Sequence, residues 1–350
     1  MAAQIIDGKA LAAKVFDQLQ AELTSLSSRG RAPHLVPILV GDNPASRMYV
    51  KMQQNAAKQL GIDCTPVHLP ETTSQEDLDA EISKINVDPS VTGIIVQLPL
   101  PKGLDARRAQ GLVAPAKDVE GVSPANLGGV VLGDESMAPT TARAAFELAK
   151  STGVKIEGAE VVIVGHSEIV GKPLSLLFLK AFGTTTVCHI ATKDLAFHTR
   201  RADILCVAVG KAGLIRAEMI KPGAVVIDVG INRVPKLGPD GKQTVDEKGR
   251  PEMITVGDVD LVVVDDRLKG GNVELRQGGV LADVIPTALE LTGLDLPGFR
   301  RKPDFEGLDL GEPLGIGLVG LFGLVSQTGL EVLCLGGGGL GLFLEFLSDP

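Results

Sequence analysis

The chain has 350 residues, 44% of them apolar and 22% charged, which is enough for two domains with cores of their own. A formal charge of −9 and the lack of tryptophan argue against a nucleic-acid partner, which calls for clustered Lys and Arg and for stacking platforms. Four scattered cysteines, Cys64, Cys188, Cys206 and Cys334, have neither CxxC nor metal-ligand spacing. They read as buried thiols of a reducing compartment, and no metal is expected. The start, "MAAQIIDGKALAAKV", lacks a basic region followed by an apolar run, so a cytoplasmic protein is expected.

Strand-like and helical patterns alternate along the chain. "LVPILVG" reads as a buried strand and precedes "NPASRMYVKMQQNAAKQLGI", a helix with Asn43 as cap and Pro44 in its first turn. This helix carries the only tyrosine, Tyr49, and one turn later on the same face Gln53, which is neither acid nor base. "CTPVHL", a helix around "SQEDLDAEISKI" and the strand "VTGIIVQLPLP" follow. A boundary is expected near Gly121–Gly133. After it come the helix "APTTARAAFELAKSTG" and the strands "AEVVIVG", "TTTVCHI", "ADILCVAVG" and "GAVVIDVGIN". Short, β-branched, almost uninterrupted apolar runs suit parallel strands covered on both faces. The fold class expected is therefore α/β, with two domains. The second is a Rossmann-type dinucleotide-binding domain with a mainly parallel sheet. Residues 234–255, polar and turn-rich, read as a surface hairpin. The last 58 residues contain 14 glycines. Their uncharged stretch 314–330 is long enough to cross a membrane, but its glycines weaken a helix, so a poorly packing tail is expected rather than an anchor.

"VVIVGHSEIVGKPLSLLFL" is the clearest motif of the second half. A strand ends at Val164, the chain turns at Gly165, and a helix starts near Gly171. Such a turn lets backbone N–H groups approach a pyrophosphate at a helix N-terminus. The spacing is G-x-x-x-x-x-G rather than G-x-G-x-x-G, and a ligand-free glycine turn is the competing reading.

Taken together, "DGKALA", "VGDNPASRMYVKM", "GIIVQLPLP", "KDVEGVSPANLG", "VVIVGHSEIVGKP", "TVCHIATKDL", "GAVVIDVGIN" and "VGDVD" resemble methylenetetrahydrofolate dehydrogenase/cyclohydrolase, the bacterial FolD type. The resemblance covers roughly residues 4–260. It implies a homodimer with a folate-binding catalytic domain, 1–121, onto which a helix 281–292 packs back, and an NAD(P)-binding Rossmann domain, 122–280. Residues 293–350 form a tail without family counterpart. Folate would lie in the cleft between the domains. 5,10-Methylenetetrahydrofolate would be oxidised with NADP or NAD and the methenyl product hydrolysed. By the same resemblance Tyr49 contacts folate near its reacting centre, Gln97 and Leu98 line the pterin side, and Glu120 binds the pterin where the family has aspartate. Gly278 and Gly279 belong to a segment that closes over folate and nicotinamide. Gly165, His166 and Ser167 meet the cofactor phosphates, Val170, Gly171 and Ile190 belong to the same cofactor-binding set, and Ile231 contacts the nicotinamide half.

Three departures from the family pattern bear on function. Gln53 stands where the family has lysine. On a helix at about 100° per residue, Tyr49 and Gln53 are about 40° apart while Lys51 and Lys58 point away, so neither lysine substitutes. His166 and Ile190 replace an arginine and a serine that in the family hold the 2′-phosphate of NADP, so NAD becomes plausible beside NADP. Near residue 278 only Gly278, Gly279 and Val280 remain of a Pro-Gly-Gly-Val-Gly-Pro segment. The expectation is a working dehydrogenase with a weakened cyclohydrolase. The alternatives are a catalytically impaired folate- or nucleotide-binding homologue and a dehydrogenase of another small substrate. Without the resemblance, Tyr49 would read as ordinary helix packing, and Gln97 and Glu120 as turn and surface residues.

Overall fold

The computed structural model describes residues 33–260, apart from 239, 240, 247 and 248, together with Ile6 and parts of a helix within 16–24. Gly278, Gly279, the helix expected at 281–292 and the stretch 293–350 lie outside the described residues. From residue 16 onward the described chain falls into two compact units that divide between Ala144 and Ala145.

In the first unit β1 (His34–Val40) is the centre of a parallel four-stranded sheet. One neighbour is β4 (Gly93–Val96). The other is the segment expected as a single strand, "CTPVHL", which is split into β2 (Asp63–Cys64) and β3 (Val67–Leu69). Both pieces keep one register against β1, with His34 opposite Asp63 and Ile38 opposite Val67. Pro66 has no N–H to continue the ladder, so the strand breaks there.

The uninterrupted apolar run of β1 is explained by cover on both sides. Val36, Ile38 and Val40 pack with Leu78, Ile82 and Ile85 of α2 (Gln75–Val87) and with Ile94 and Val96 of β4. On the other side lies α1 (Pro44–Leu60). Each such residue, fully buried, stabilises the fold by about 1.5–3 kcal/mol. Ser74 caps α2 by accepting from Asp77 N at 3.1 Å. Two shorter helices, α3 (Ala106–Leu112) and α4 (Pro124–Val131), follow β4, and α5 (Thr140–Ser151) spans the division between the units.

The second unit contains β5 (Glu160–Val164), α6 (Gly171–Lys180), β6 (Thr184–Cys188), α7 (Leu195–Thr199), β7 (Ile204–Val207) and β8 (Val225–Asp228). All four strands are parallel, in the order β6-β5-β7-β8. The chain leaves β5 toward one side for β6 and returns to the other side for β7, so the order reverses between β5 and β7. In doubly wound sheets this is where ligands bind, beyond the strands' carboxyl ends. The polar insertion is the expected hairpin, with β9 (Asn232–Pro235) antiparallel to β10 (Met253–Val256). Among the described residues, no helix is long and apolar enough to cross a membrane.

Candidate active site

Helix α1 starts where Asn43 accepts from Ala45 N at 2.9 Å and Ser46 N at 3.2 Å, and it stops at Gly61 in the left-handed region. Its buried stripe is Ser46, Val50, Gln53, Ala57 and Leu60. Tyr49 is half-buried at the edge of that stripe, and burial raises its phenol above the ordinary value. Lys51 and Lys58 are exposed, as the helical geometry requires.

Gln97 immediately follows β4 and is held by its N–H to Ile38 O at 2.9 Å. Its side chain, 1% exposed, donates from Nε2 to Oε1 of the fully buried Gln53 at 3.0 Å. Gln97 Oε1 is buried without a hydrogen-bond partner among the described residues. Ser46 Oγ donates to Leu98 O at 3.1 Å, which ties α1 to the cis Leu98–Pro99 turn. Two carboxamides are thus clasped together, and a carboxamide takes up no proton near neutral pH.

Glu120, 4% exposed, lies in the turn "KDVEG" just past Asp118. Asp118 bridges Ile94 in parallel, so the chain advances beside β4 toward the end that bears Gln97. The first unit therefore gathers Tyr49, Gln53, Gln97, Leu98 and Glu120 around the carboxyl end of β4 and the facing side of α1.

In the second unit Gly165 follows β5 with φ +124°, and a Cβ there would overlap the carbonyl of Ala208 just past β7. A Cβ on Gly171 would overlap the Gly165 carbonyl. Both ends of the turn are thus bare backbone at the point where the strand order reverses, and only glycine fits the two positions. Ser167 shapes it: the hydroxyl accepts from Val170 N at 3.2 Å and Gly171 N at 3.4 Å, and the carbonyl accepts from Lys172 N at 3.0 Å. The hydroxyl proton stays available for a ligand oxygen. His166 and His189 meet edge to face with ring centres 5.3 Å apart. His189 Nδ1 accepts from Ala191 N at 3.2 Å, which leaves Nε2 to carry the proton. Ile190 beside it is 99% exposed. Ile231 is half-buried beyond β8.

Two buried carboxylates knit this rim together. Asp258 accepts from the N–H groups of Val209, Gly210 and Lys211 and from Asn232 Nδ2, at 2.7–3.0 Å. Asp228 accepts from Gly230, Asp258 and Val259 N–H at 2.8–3.2 Å. Burial, with a smaller contribution from the neighbouring Asp258 charge, pushes Asp228 up to about 7 against those hydrogen bonds.

Comparison with known proteins decides the family. Residues 6–120 match the tetrahydrofolate dehydrogenase/cyclohydrolase catalytic domain, and residues 139–270 match the NAD(P)-binding domain of the same family. The chain belongs to this family. It is 47% identical over 242 residues, 69% of the chain and 85% of the relative, to the bifunctional protein FolD of Halalkalibacterium halodurans. It is 43% identical over 298 residues, 85% of the chain and 99% of the relative, to that of Nautilia profundicola. The crystal structure of the bifunctional enzyme FolD from Campylobacter jejuni superposes with a TM-score of 0.68 at 38% identity, covering 81% of this chain and 98% of that one.

As a member of the family, the chain carries an NAD(P)-binding domain on its second unit. Sequence reasoning picked out the residues at the carboxyl ends of the strands and missed those that hold them there. Asp118, Asp228 and Asp258 are missed because an aspartate at a strand end or in a loop reads as an ordinary turn former. The signal available was their position inside the family motifs "KDVEG", "VVIDVG" and "VGDVD".

Proposed function

We propose that this chain oxidises 5,10-methylenetetrahydrofolate to the methenyl compound with NAD as the preferred acceptor, and that its hydrolysis of the methenyl product is weak. The dinucleotide fits the second unit because the turn begins and ends on bare backbone, at Gly165 and Gly171, and leads into the ten-residue helix α6. When bound, NAD supplies the hydride acceptor. Gly165, His166, Ser167, Val170 and Gly171 would hold its phosphates, with Ile231 at the nicotinamide half. His166 and Ile190 offer a 2′-phosphate dianion no fixed positive charge, which supports NAD over NADP.

Folate would lie against Tyr49, Gln97, Leu98 and Glu120. Loss of hydride from the methylene carbon is pushed by the substrate's own nitrogens, so the protein's task is orientation. Hydrolysis asks more: water must lose a proton as it adds, and a ring nitrogen must gain one as the bridge opens. The observation that carries the proposal is the buried Gln97 Nε2–Gln53 Oε1 hydrogen bond. It replaces a proton carrier with a neutral clasp that still orients Gln97.

The decisive experiment assays the two steps separately in the wild type and in Gln53→Lys. Wild-type dehydrogenation at a rate ordinary for such enzymes is expected, with Gln53→Lys speeding methenyl hydrolysis by about 10²–10⁴. Brisk hydrolysis by the wild type would defeat the proposal. The reading includes a cytoplasmic homodimer. The free thiols Cys64, Cys188 and Cys206 support the compartment, and β6, the outer strand of its sheet among the described residues, is a candidate edge for pairing.

A further inference from the structure

We infer that Asp118 is a positioning residue for Glu120, setting where the longer arm of that carboxylate ends. The inference rests on the reading of Glu120 as the pterin ligand. Asp118 is 2% exposed and accepts four hydrogen bonds, two on each oxygen. Oδ1 takes Glu120 N at 3.2 Å and Gly121 N at 3.0 Å. Oδ2 takes Ser123 N at 2.7 Å and Asn126 Nδ2 at 2.9 Å. The loop from 118 to 123 is wrapped around one carboxylate, with the backbone of Glu120 as part of the wrapping.

Both ends of this wrapping are anchored. Upstream, Asp118 is in register with Ile94 of β4, and Val119 is fully buried. Downstream, Gly121 has φ +67°, and a Cβ there would overlap the carbonyl oxygens of Met137 and Ala138. The Glu120 carbonyl accepts from Thr140 N at 3.3 Å. Glu120 therefore has little backbone freedom with which to absorb its extra methylene relative to the family aspartate. Two carboxyl oxygens supply the acceptors for all four donors. Asparagine in its place presents one oxygen and turns an NH2 group toward two N–H donors, which opens the loop and moves residue 120.

The test is a double-mutant cycle with 5,10-methylenetetrahydrofolate and NAD, using Asp118→Asn, Glu120→Gln and the double variant, each checked for folding by circular dichroism. Each single variant is expected to lower kcat/KM for the folate by about 10–100-fold, as a misplacement near one ångström does, while KM for NAD stays at the wild-type value. The double variant is expected to be no worse than Glu120→Gln alone, because both changes remove one function. A double variant as slow as the product of the singles overturns the inference. So does an Asp118→Asn enzyme whose kcat falls with both KM values unchanged, since that reports lost folded protein. A silent Glu120→Gln removes the underlying reading as well, and that single measurement tells the two failures apart. If Asp118→Asn does not fold, Asn126→Ala removes one donor to the same carboxylate. It should show a smaller loss with the same non-additivity, and additivity there overturns the inference equally.

Discussion

At position 53 an amine and a carboxamide differ in one decisive respect: the amine can carry a proton and the carboxamide cannot. Gln53 is fully buried against Gln97, whereas Lys51 and Lys58 are exposed on other faces of α1. The same residue-by-residue logic applies at the cofactor rim. His189 keeps its proton on Nε2 because Nδ1 already accepts from Ala191 N, and Ile190 projects a hydrocarbon into solvent. Restoring a fixed charge and a hydroxyl through His166→Arg with Ile190→Ser should raise kcat/KM for NADP relative to NAD by about 10–100-fold. Hydrogen bonds between charged groups are worth about 1.5–3 kcal/mol. Steady-state rates with both cofactors measure the ratio, and an unchanged preference would show that the 2′-position is read elsewhere.

At the scale of elements, α6 ends in an unusual way. Its closing turn places Phe182 in the left-handed region at φ 63°, where glycine is ordinary, and leaves the ring 78% exposed. Phe182 N bonds to Leu179 O at 3.0 Å and Gly183 N to Phe178 O at 2.9 Å, the bonds of a helix stop. Phe182→Gly should therefore raise stability by about 0.5–1 kcal/mol, since little burial is lost and the strain of a Cβ at positive φ is removed. Thermal unfolding at two protein concentrations checks it. A lower Tm that depends on concentration would instead mean that a partner covers the ring. The elements themselves were largely legible: β5 and β7 announce buried parallel strands by nearly unbroken apolar runs, and Asn43 marks a helix start. What could not be read is contact made at long range. Gln97 meets Gln53 across 44 positions, and Asp258 gathers N–H groups 47–49 positions away. Those meetings depend on strand register and on how a loop closes, for which local pattern has no term. The break at Pro66 was missed for a related reason: one proline in an apolar run changes the ladder without changing the pattern.

Across the whole molecule, the buried Asp228 couples folding to pH. Its folded-state value is pushed up to about 7 by burial, whereas an unfolded aspartate titrates near 4. A raised folded value means that the native state binds the proton more tightly than the unfolded chain. The stabilisation is fully present below about pH 4 and is lost as pH rises through about 7. A shift of roughly three units at about 1.4 kcal/mol each sets an upper scale of about 4 kcal/mol, spread over that interval. The chain's formal charge of −9 also makes rising pH unfavourable through self-repulsion, so the wild-type slope alone does not isolate Asp228. Asp228→Asn does, because it cannot titrate. It should lower stability at acidic pH by giving up an acceptor for Gly230, Asp258 or Val259, while its stability changes less between pH 5 and 8 than that of the wild type. Urea unfolding at half-unit steps over that range gives both slopes. Parallel curves would mean that Asp228 stays ionised throughout, its three backbone donors outweighing the cost of burial.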